Sequence, residues 1–113
     1  MIEYSLPVPP STNAMYIKGR IKSPVYRRWE REALWMIKID AGGVTFDAPV
    51  AIAIRVPYNP RRDLDNYMKV TIDALVTAGV IVDDNMKRVP VKSIRVDRSL
   101  QDEIRVAIKL VDE

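Results

Sequence analysis

The stretch that decides the fold is P-V-A-I-A-I-R-V-P, residues 49–57. It is almost continuously apolar and has a proline at each end, which is typical of a central β-strand that is buried on both faces. We therefore place the middle of a β-sheet here and predict the remaining elements on either side of it.

Three further strands are predicted from the alternation of apolar and polar residues. Residues 2–8 alternate in this way before a run of prolines, and residues 88–98 and 103–111 form two more predicted strands. The alternation is clearest in residues 103–111. Residues 11–22 are expected to form a polar, basic loop.

Two helices are predicted between these strands. The first runs from about residue 24 to residue 41, because Ser23 is a suitable N-cap before a proline and Gly42-Gly43 stops the helix. The second runs from about residue 65 to residue 78. The order β-α-β-α-β-β predicts an α+β fold with a mixed sheet of about four strands and two helices packed on it.

Length and composition narrow the class of protein. The chain has 113 residues, 48% hydrophobic and 29% charged, which suits one globular domain over residues 1–113. It has no run long enough to span a membrane and no secretory signal, so a cytoplasmic protein is expected. The absence of cysteine and histidine excludes thiolate sites, imidazole bases and Ser-His-Asp triads. A bound metal must accept hard oxygen ligands, as Mg²⁺, Mn²⁺ and Ca²⁺ do.

The positive charge of the chain is concentrated in two bands. The net charge is +3 and the pI is near 9.3. The first band contains Lys18, Arg20, Lys22, Arg27, Arg28 and Arg31. The second contains Lys87, Arg88, Lys92, Arg95 and Arg98. Such bands occur both as solvated faces and as surfaces that bind nucleic acid, and charge alone leaves both interpretations open.

Four carboxylates between the two bands form a candidate metal site. In R-R-D-L-D-N, residues 61–66, Asp63 and Asp65 point the same way if the segment is extended, about 7 Å apart. The second helix then carries the chain about 20 Å away at about 1.5 Å per residue. Residues 79–84 are long enough to return, so Asp83-Asp84 can reach Asp65 if the chain reverses at Gly79.

The second helix also carries a polar stripe. Asn66, Lys69 and Asp73 fall within a sector of about 60°, opposite the apolar face of the helix. Lys69 lies one turn from Asp65, where it can neutralise the acids, contact a phosphate or move a proton. These residue types suit phosphodiester chemistry with a metal ion.

A purely structural interpretation of the same residues stays open. Asp65 is a suitable N-cap, Asp63 a suitable turn residue, and Lys69 a suitable ion-pair partner one turn away. Residues 83–85 are equally suited to a plain connection between strands. A calcium-binding EF-hand loop is excluded because the glycine and glutamate that it needs at fixed positions are missing.

The sequence of residues 61–84 is R-R-D-L-D-N-Y-M-K-V-T-I-D-A-L-V-T-A-G-V-I-V-D-D. This segment resembles the signature of the RusA family of Holliday junction resolvases. The segment P-P-S-T-N-A-M-Y, residues 9–16, resembles the N-terminal loop of the same family. The order of predicted elements agrees over nearly the whole chain.

The resemblance implies a homodimeric endonuclease that uses Mg²⁺, with Mn²⁺ as a substitute, and cuts two strands of a four-way DNA junction symmetrically. It implies no membrane and no small-molecule cofactor. The catalytic residues that it implies are Asp63, Asp65, Lys69 and Asp84, and the metal ligands are Asp63, Asp65, Asp84 and, with less support, Asp83. Supporting residues are Asn66, Asp73, Ser11 and Asn13.

Phosphate contacts are expected from the arginines of the motif and from the first basic band. The expected DNA-binding residues are Arg61, Arg62, Lys18, Arg20, Lys22, Arg27 and Arg28. The dimer interface is not evident from the sequence, and Trp35 is one candidate for it. Two other functions stay open: a basic nucleic-acid-binding module without catalysis, and a nuclease for flaps or Y-forks.

Overall fold

A computed structural model describes residues 1–19 and 21–112 of the chain. Its elements, in order, are β1 (Ile2–Pro7), α1 (Thr12–Met15), β2 (Tyr16–Ile17), β3 (Ile21–Lys22), α2 (Pro24–Ala41), β4 (Val50–Val56), α3 (Leu64–Thr77), β5 (Val91–Val96) and β6 (Glu103–Leu110). In the part of the chain that is described, no helix is long and apolar enough to cross a membrane.

The main sheet has four strands in the order β1-β6-β4-β5. β6 lies between β1 and β4 and is antiparallel to both, whereas β4 and β5 are parallel. Parallel neighbours need a crossover connection, and α3 lies in the connection between β4 and β5. The prediction of an α+β fold with a mixed four-stranded sheet and two main helices is confirmed.

One face of the sheet packs on α2 and α3 to form the core. Alternate residues of β1, β4 and β6 point into it, because side chains alternate between the two faces of a strand. The largest fully buried side chains are Tyr4, Leu6, Ile37, Ile52, Ile54, Ile72, Leu75, Ile104, Ile108, Val50, Val56 and Val80.

The ends of α2 lie where the sequence predicts them. The Ser23 hydroxyl accepts a 3.1 Å hydrogen bond from the backbone N–H of Tyr26, and Pro24 occupies the first helical position. At the other end, Gly42 has φ 59°, and its N–H donates to the carbonyl of Lys38. A left-handed residue of this kind stops a helix and is favourable for glycine.

The expectation that β4 is buried on both faces is wrong. β4 is flanked by β6 and β5, but its helix-facing residues are buried while Ala53 is exposed and Arg55 is half-buried. Both large helices pack on the same side of the sheet, so the other side stays open. The alanines made the segment look uniformly apolar, although a methyl side chain tolerates solvent at little cost.

The expectation that residues 11–22 form a loop is also wrong in part. They form the four-residue helix α1 and the small antiparallel hairpin β2–β3, whose pairs are Tyr16 with Lys22 and Ile17 with Ile21. The hairpin turn includes Lys18 at φ 52°. Elements this short have too few residues to show a period in the sequence.

Candidate active site

The candidate site begins at the N-terminus of α3, after the connection that follows β4. Asp63 occupies the N-cap position of α3, with extended φ −94° and ψ 142°, and its side chain makes no capping hydrogen bond. Asp65 lies in the first helical turn, and both side chains are exposed. The structural alternative in which Asp65 is the N-cap is therefore wrong. Both carboxylates are available at a helix N-terminus, where the peptide dipoles favour negative charge.

The polar stripe of α3 continues this surface. Asn66, Lys69 and Asp73 line one side of a cavity of about 130 Å³, and Tyr16 and Tyr26 line the other. The helical spacing thus brings the three polar residues together as the sequence indicates. Among the described residues Lys69 has no ion-pair partner, so its ammonium group is available to an incoming anion.

The chain returns to this stripe after α3. Gly79, at φ 79°, reverses the chain, and the N–H of Val80 donates to the carbonyl of Leu75. The negative charge of Asp84 acts on Asp73. Burial is the main cause that raises the pKa of the Asp73 carboxyl, Asp84 raises it further, and Lys69 opposes both. Asp84 therefore lies within electrostatic reach of the stripe, as the predicted reversal requires.

The two neighbouring acids after the reversal have different surroundings. One Asp83 oxygen accepts a 2.7 Å hydrogen bond from the backbone N–H of Asp84, and the other accepts a 3.2 Å bond from the Asn85 amide. The Asn85 side chain also accepts from the N–H of Arg88. Asp83 thus organises the turn, whereas the Asp84 side chain is exposed and has no such hydrogen bond in the described structure.

The acids are not gathered into a closed cluster. Within residues 1–19 and 21–112, no group of three or more acidic side chains lies close enough together to hold a metal ion. The donor chemistry nevertheless fits Mg²⁺, which takes one or two carboxylates and keeps several waters. Asp63 and Asp65 offer such a pair, since both are exposed and neither forms an ion pair with a described side chain.

The two arginines of R-R-D-L-D-N have different environments. Arg62 is half-buried, and its guanidinium donates to the carbonyls of Pro9 and Pro10 at 2.7 Å and 2.9 Å. It also lies 4.4 Å from the centre of the Tyr67 ring. Arg61 is exposed, and only its backbone N–H is bound, to Asn59. The structure therefore gives Arg62 an internal contact, and the phosphate contacts expected of Arg61 and Arg62 stay predictions.

Other residues besides Arg62 hold the segment that follows β1. The indole N–H of Trp29 donates a 2.8 Å bond to the carbonyl of Pro7, and the backbone N–H of Ser23 donates a 2.8 Å bond to the carbonyl of Met15. Ser11 occupies the N-cap position of α1 without a side-chain capping bond, and Asn13 is exposed. The loop thus presents two small polar side chains to solvent beside the candidate site.

The expected phosphate-binding residues of the first band lie on the β2–β3 hairpin and on α2. Lys18, Arg27 and Arg28 are exposed, and Lys22 is half-buried. Lys22 forms a 2.8 Å ion pair with Glu30 and lies over the Tyr26 ring at 5.1 Å. The prediction for Arg20 falls outside the described residues.

Two tyrosines beside the site were not indicated by the sequence as site residues. The rings of Tyr16 and Tyr26 pack edge to face with centres 5.5 Å apart. Burial raises the pKa of the Tyr26 phenol, and the nearby Tyr16, Glu30 and Asp73 raise it further. Tyr26 is buried in the core, and no spacing rule in the sequence indicates that a core tyrosine lies beside the site.

Comparison with known proteins identifies the family of the chain. The family model described as "Endodeoxyribonuclease RusA" matches residues 7–111. A crossover junction endodeoxyribonuclease RusA of Aquifex aeolicus strain VF5 is 34% identical over 85 residues, covering 72% of this chain and 68% of that protein. The protein of the same name from Escherichia coli K12 is 34% identical over 86 residues, covering 71% of each chain.

A phage protein of the same name is also similar. The crossover junction endodeoxyribonuclease of Enterobacteria phage 82 is 32% identical over 85 residues, covering 71% of both chains. The matched family model includes all of the residues that line the candidate site. The chain belongs to the RusA family of endodeoxyribonucleases.

Proposed function

We propose that this chain is a metal-dependent endodeoxyribonuclease that cuts crossover (four-way) junction DNA. The observation that carries the proposal is the position of Asp63 and Asp65 in a chain of the RusA family. Both are exposed at the N-terminus of α3, one turn before Lys69, which has no ion-pair partner among the described residues. The names of its relatives supply the substrate class.

In this proposal Asp63 and Asp65 would hold Mg²⁺, or Mn²⁺ in its place, and Asp84 is the third candidate ligand. Asp83 is a weaker candidate ligand because both of its oxygens already accept hydrogen bonds. A bound Mg²⁺ supplies an activated water and neutralises charge on the phosphate. Asn66 and Asp73 are supporting residues on the same stripe.

Lys69 acts on the phosphate in this proposal. Lys69 lines the cavity and has no ion-pair partner among the described residues, so its ammonium group can stabilise the negative charge that grows on the phosphate during hydrolysis. Arg61 and the basic residues of the β2–β3 hairpin and α2 hold flanking phosphates, a contribution that weakens with salt.

Symmetric cutting of two strands favours a homodimer. A two-fold axis that relates one site per subunit matches a junction of the same symmetry. Sedimentation equilibrium of the protein at micromolar concentration tests this part of the proposal. A monomer under conditions of full cleavage contradicts it.

The test of the function uses a labelled four-way junction with Mg²⁺ and with EDTA. We expect paired, symmetric nicks with Mg²⁺ and none with EDTA. A Y-fork, a flap and a linear duplex of the same sequence should be cut more slowly. Equal or faster cleavage of the fork or flap assigns the protein to a nuclease for other branched DNA.

A second candidate is a basic nucleic-acid-binding module without catalysis. The observation that favours it is that the described acids do not form a three-carboxylate cluster. In that case neither Mg²⁺ nor Mn²⁺ changes the thermal stability of the protein, and no branched DNA is cleaved. Junction binding would persist in EDTA.

A further inference from the structure

Two adjoining cavities form one continuous depression along α2, which we call the α2 groove. One, of about 630 Å³, lies between the β2–β3 hairpin and α2, and the other, of about 540 Å³, lies over the outer surface of α2. They share Arg28, Arg31 and Leu34. The groove therefore runs along much of the helix without a break.

The rim of the α2 groove is basic. Five basic side chains line it against two acids, Glu30 and Glu32. Glu30 is already bonded to Lys22 at 2.8 Å. The other four basic residues form no ion pair with a described carboxylate: Arg27, Arg28, Arg31 and Lys38. A rim with more basic than acidic side chains attracts a polyanion.

The floor of the α2 groove is apolar and accessible to solvent. Trp35 is 63% exposed, and Ile17 and Ile21 of the hairpin are 44% and 52% exposed. Large apolar groups at this exposure carry a hydration cost that a bound partner removes. A flat indole between cations is the arrangement on which an unpaired base stacks, while phosphates contact the rim.

The α2 groove adjoins the candidate active site. Lys22, on the groove, lies over the ring of Tyr26, and Tyr26 lines the cavity that contains Lys69 and Asp73. From Tyr26 to Trp35 the helix extends about 14 Å at about 1.5 Å per residue.

A second copy of the chain fits this surface less well. In a two-fold dimer the same patch meets itself, so the basic rims of the two copies would face each other. Like charges brought together in this way oppose association. The charge of the α2 groove thus favours nucleic acid over the self-association for which Trp35 was considered from the sequence.

We propose that the α2 groove binds a single-stranded segment of DNA that leaves the candidate active site, with Trp35 stacked on an unpaired base. The inference rests on the proposed function in one respect: the strand is part of the branched substrate. Unpaired bases occur at a branch point and are absent from intact duplex. The groove therefore gives the protein a contact that distinguishes a branch from a linear helix.

The experiment measures binding of a labelled twelve-nucleotide oligothymidylate and of a blunt duplex of equal length, by fluorescence anisotropy in EDTA. Trp35→Ala should weaken single-strand binding by about 10-fold or more, because stacking on one base contributes that much. Trp35→Phe should retain most of the affinity. The matched control is Ile39→Ala on the same helix, since Ile39 is 61% exposed but does not line the groove.

Circular dichroism and melting of each variant verify that it is folded, since Trp35 is largely exposed and its removal should leave the fold intact. Arg31→Ala should reduce the salt dependence of single-strand binding by about 0.7 in the log–log slope. Equal affinity of Trp35→Ala and the parent protein for the oligonucleotide overturns the proposal. A Trp35→Ala protein that changes from dimer to monomer in sedimentation overturns it as well, and assigns the surface to self-association.

These outcomes are separate from those of the proposed function. Binding in EDTA requires no cleavage, so Trp35-dependent binding in a protein that cuts no branched DNA removes the nuclease proposal and leaves the α2 groove as a single-strand site. If the parent protein cleaves the junction but Trp35→Ala binds single strands normally, the nuclease proposal stands and the α2 groove proposal is overturned.

Discussion

The guanidinium of Arg62 donates a 2.7 Å hydrogen bond to the carbonyl oxygen of Pro9, although the two residues lie 53 positions apart in the chain. The same group reaches the Pro10 carbonyl, so one side chain ties the loop of residues 9–16 to the start of α3. Asp63 follows Arg62 directly. The position of the acid pair therefore depends on a contact made by a residue that the sequence assigned to DNA.

Replacement of Arg62 should affect stability more than replacement of its neighbour. Arg62→Ala removes the donors for the Pro9 and Pro10 carbonyls, and we expect the free energy of unfolding to fall by about 1–3 kcal/mol. Arg61→Ala is the matched control, and its exposed side chain should change stability by less than about 0.5 kcal/mol. Urea titration followed by circular dichroism measures both. Equal small effects of the two replacements would show that the hydrogen bonds from Arg62 to the Pro9 and Pro10 carbonyls contribute little to stability.

Arg61→Ala should instead weaken junction binding. A lost phosphate contact lowers the salt dependence of binding to duplex arms by about 0.9 in the log–log slope. Binding is measured in EDTA at several salt concentrations. An unchanged slope would remove Arg61 from the DNA-binding surface.

Asp65→Asn should abolish cleavage of a four-way junction in Mg²⁺ while leaving junction binding intact. The amide keeps the shape of the side chain but loses the charge that a hard cation requires. Asp112→Asn is a suitable control because Asp112 is exposed just after β6, at the opposite end of the sheet from the connection between β4 and α3. Full cleavage by the Asp65→Asn protein would contradict its proposed role.

Addition of Mg²⁺ should raise the melting temperature of the protein. At a free concentration of 100 times the dissociation constant, a ligand that binds only the folded state stabilises it by about 2.7 kcal/mol. The effect should disappear when Asp63 and Asp65 are both replaced by Asn. A melting temperature that is insensitive to Mg²⁺ and Mn²⁺ in the parent protein favours the non-catalytic alternative.

Stability should depend on pH through Asp73. Its pKa in the folded protein is raised above the ordinary 3.8, mainly by burial, so the folded state binds its proton more tightly than the unfolded state does. Stability from this group is present at low pH and is lost as pH rises through the raised pKa. Asp73→Asn should therefore be more stable than the parent protein at neutral pH, measured in EDTA, with no advantage below about pH 3.

Lys69→Gln supplies the opposite control for this effect. Lys69 lowers the pKa of Asp73, so its removal leaves the buried charge less compensated. We expect Lys69→Gln to be less stable than the parent protein at neutral pH and equally stable in acid. A pH-independent difference for both variants would show that the charge of Asp73 is not the cause.

The hydroxyl of Thr71 should contribute little to stability. It is fully buried, and in the described part of the chain it has no hydrogen-bond partner. Thr71→Val removes this unpaired group at nearly constant shape, so the free energy of unfolding should stay the same or rise by up to about 1 kcal/mol. Ser23→Ala, which removes an N-cap, should lower it by about 1 kcal/mol. Urea titration compares the two.

The large elements of the fold were predictable because each repeats a period over many residues. α2 was predicted at its observed bounds from Ser23 and Gly42, and α3 was predicted within one residue at each end. The open face of β4 was not predictable, because Ile and Ala, which alternate along this strand, differ little in hydropathy. The β2–β3 hairpin was not predictable, because its two residue pairs are too few to show a period and its contact between Tyr16 and Tyr26 joins it to another element.

The site was predictable as a set of positions along the chain but not as a set of contacts. Sequence spacing shows that Asp84 can return to α3, and its effect on Asp73 agrees with that return. Spacing does not fix the direction of a side chain, and this is why the three acids were expected to form a cluster that the described residues do not form. For the same reason the contact of Arg62 with the Pro9 carbonyl could not be predicted from the sequence.

The position of β6 has a consequence for biosynthesis. This strand follows every other element in sequence yet lies inside the sheet, between β1 and β4. A ribosome that has released residues 1–96 has therefore produced β1 without its partner and β4 without one of its two neighbours. The sheet beneath the acid pair is completed only after Glu103–Leu110 emerges, so Asp63 and Asp65 gain their full structural support only once this strand has been synthesised.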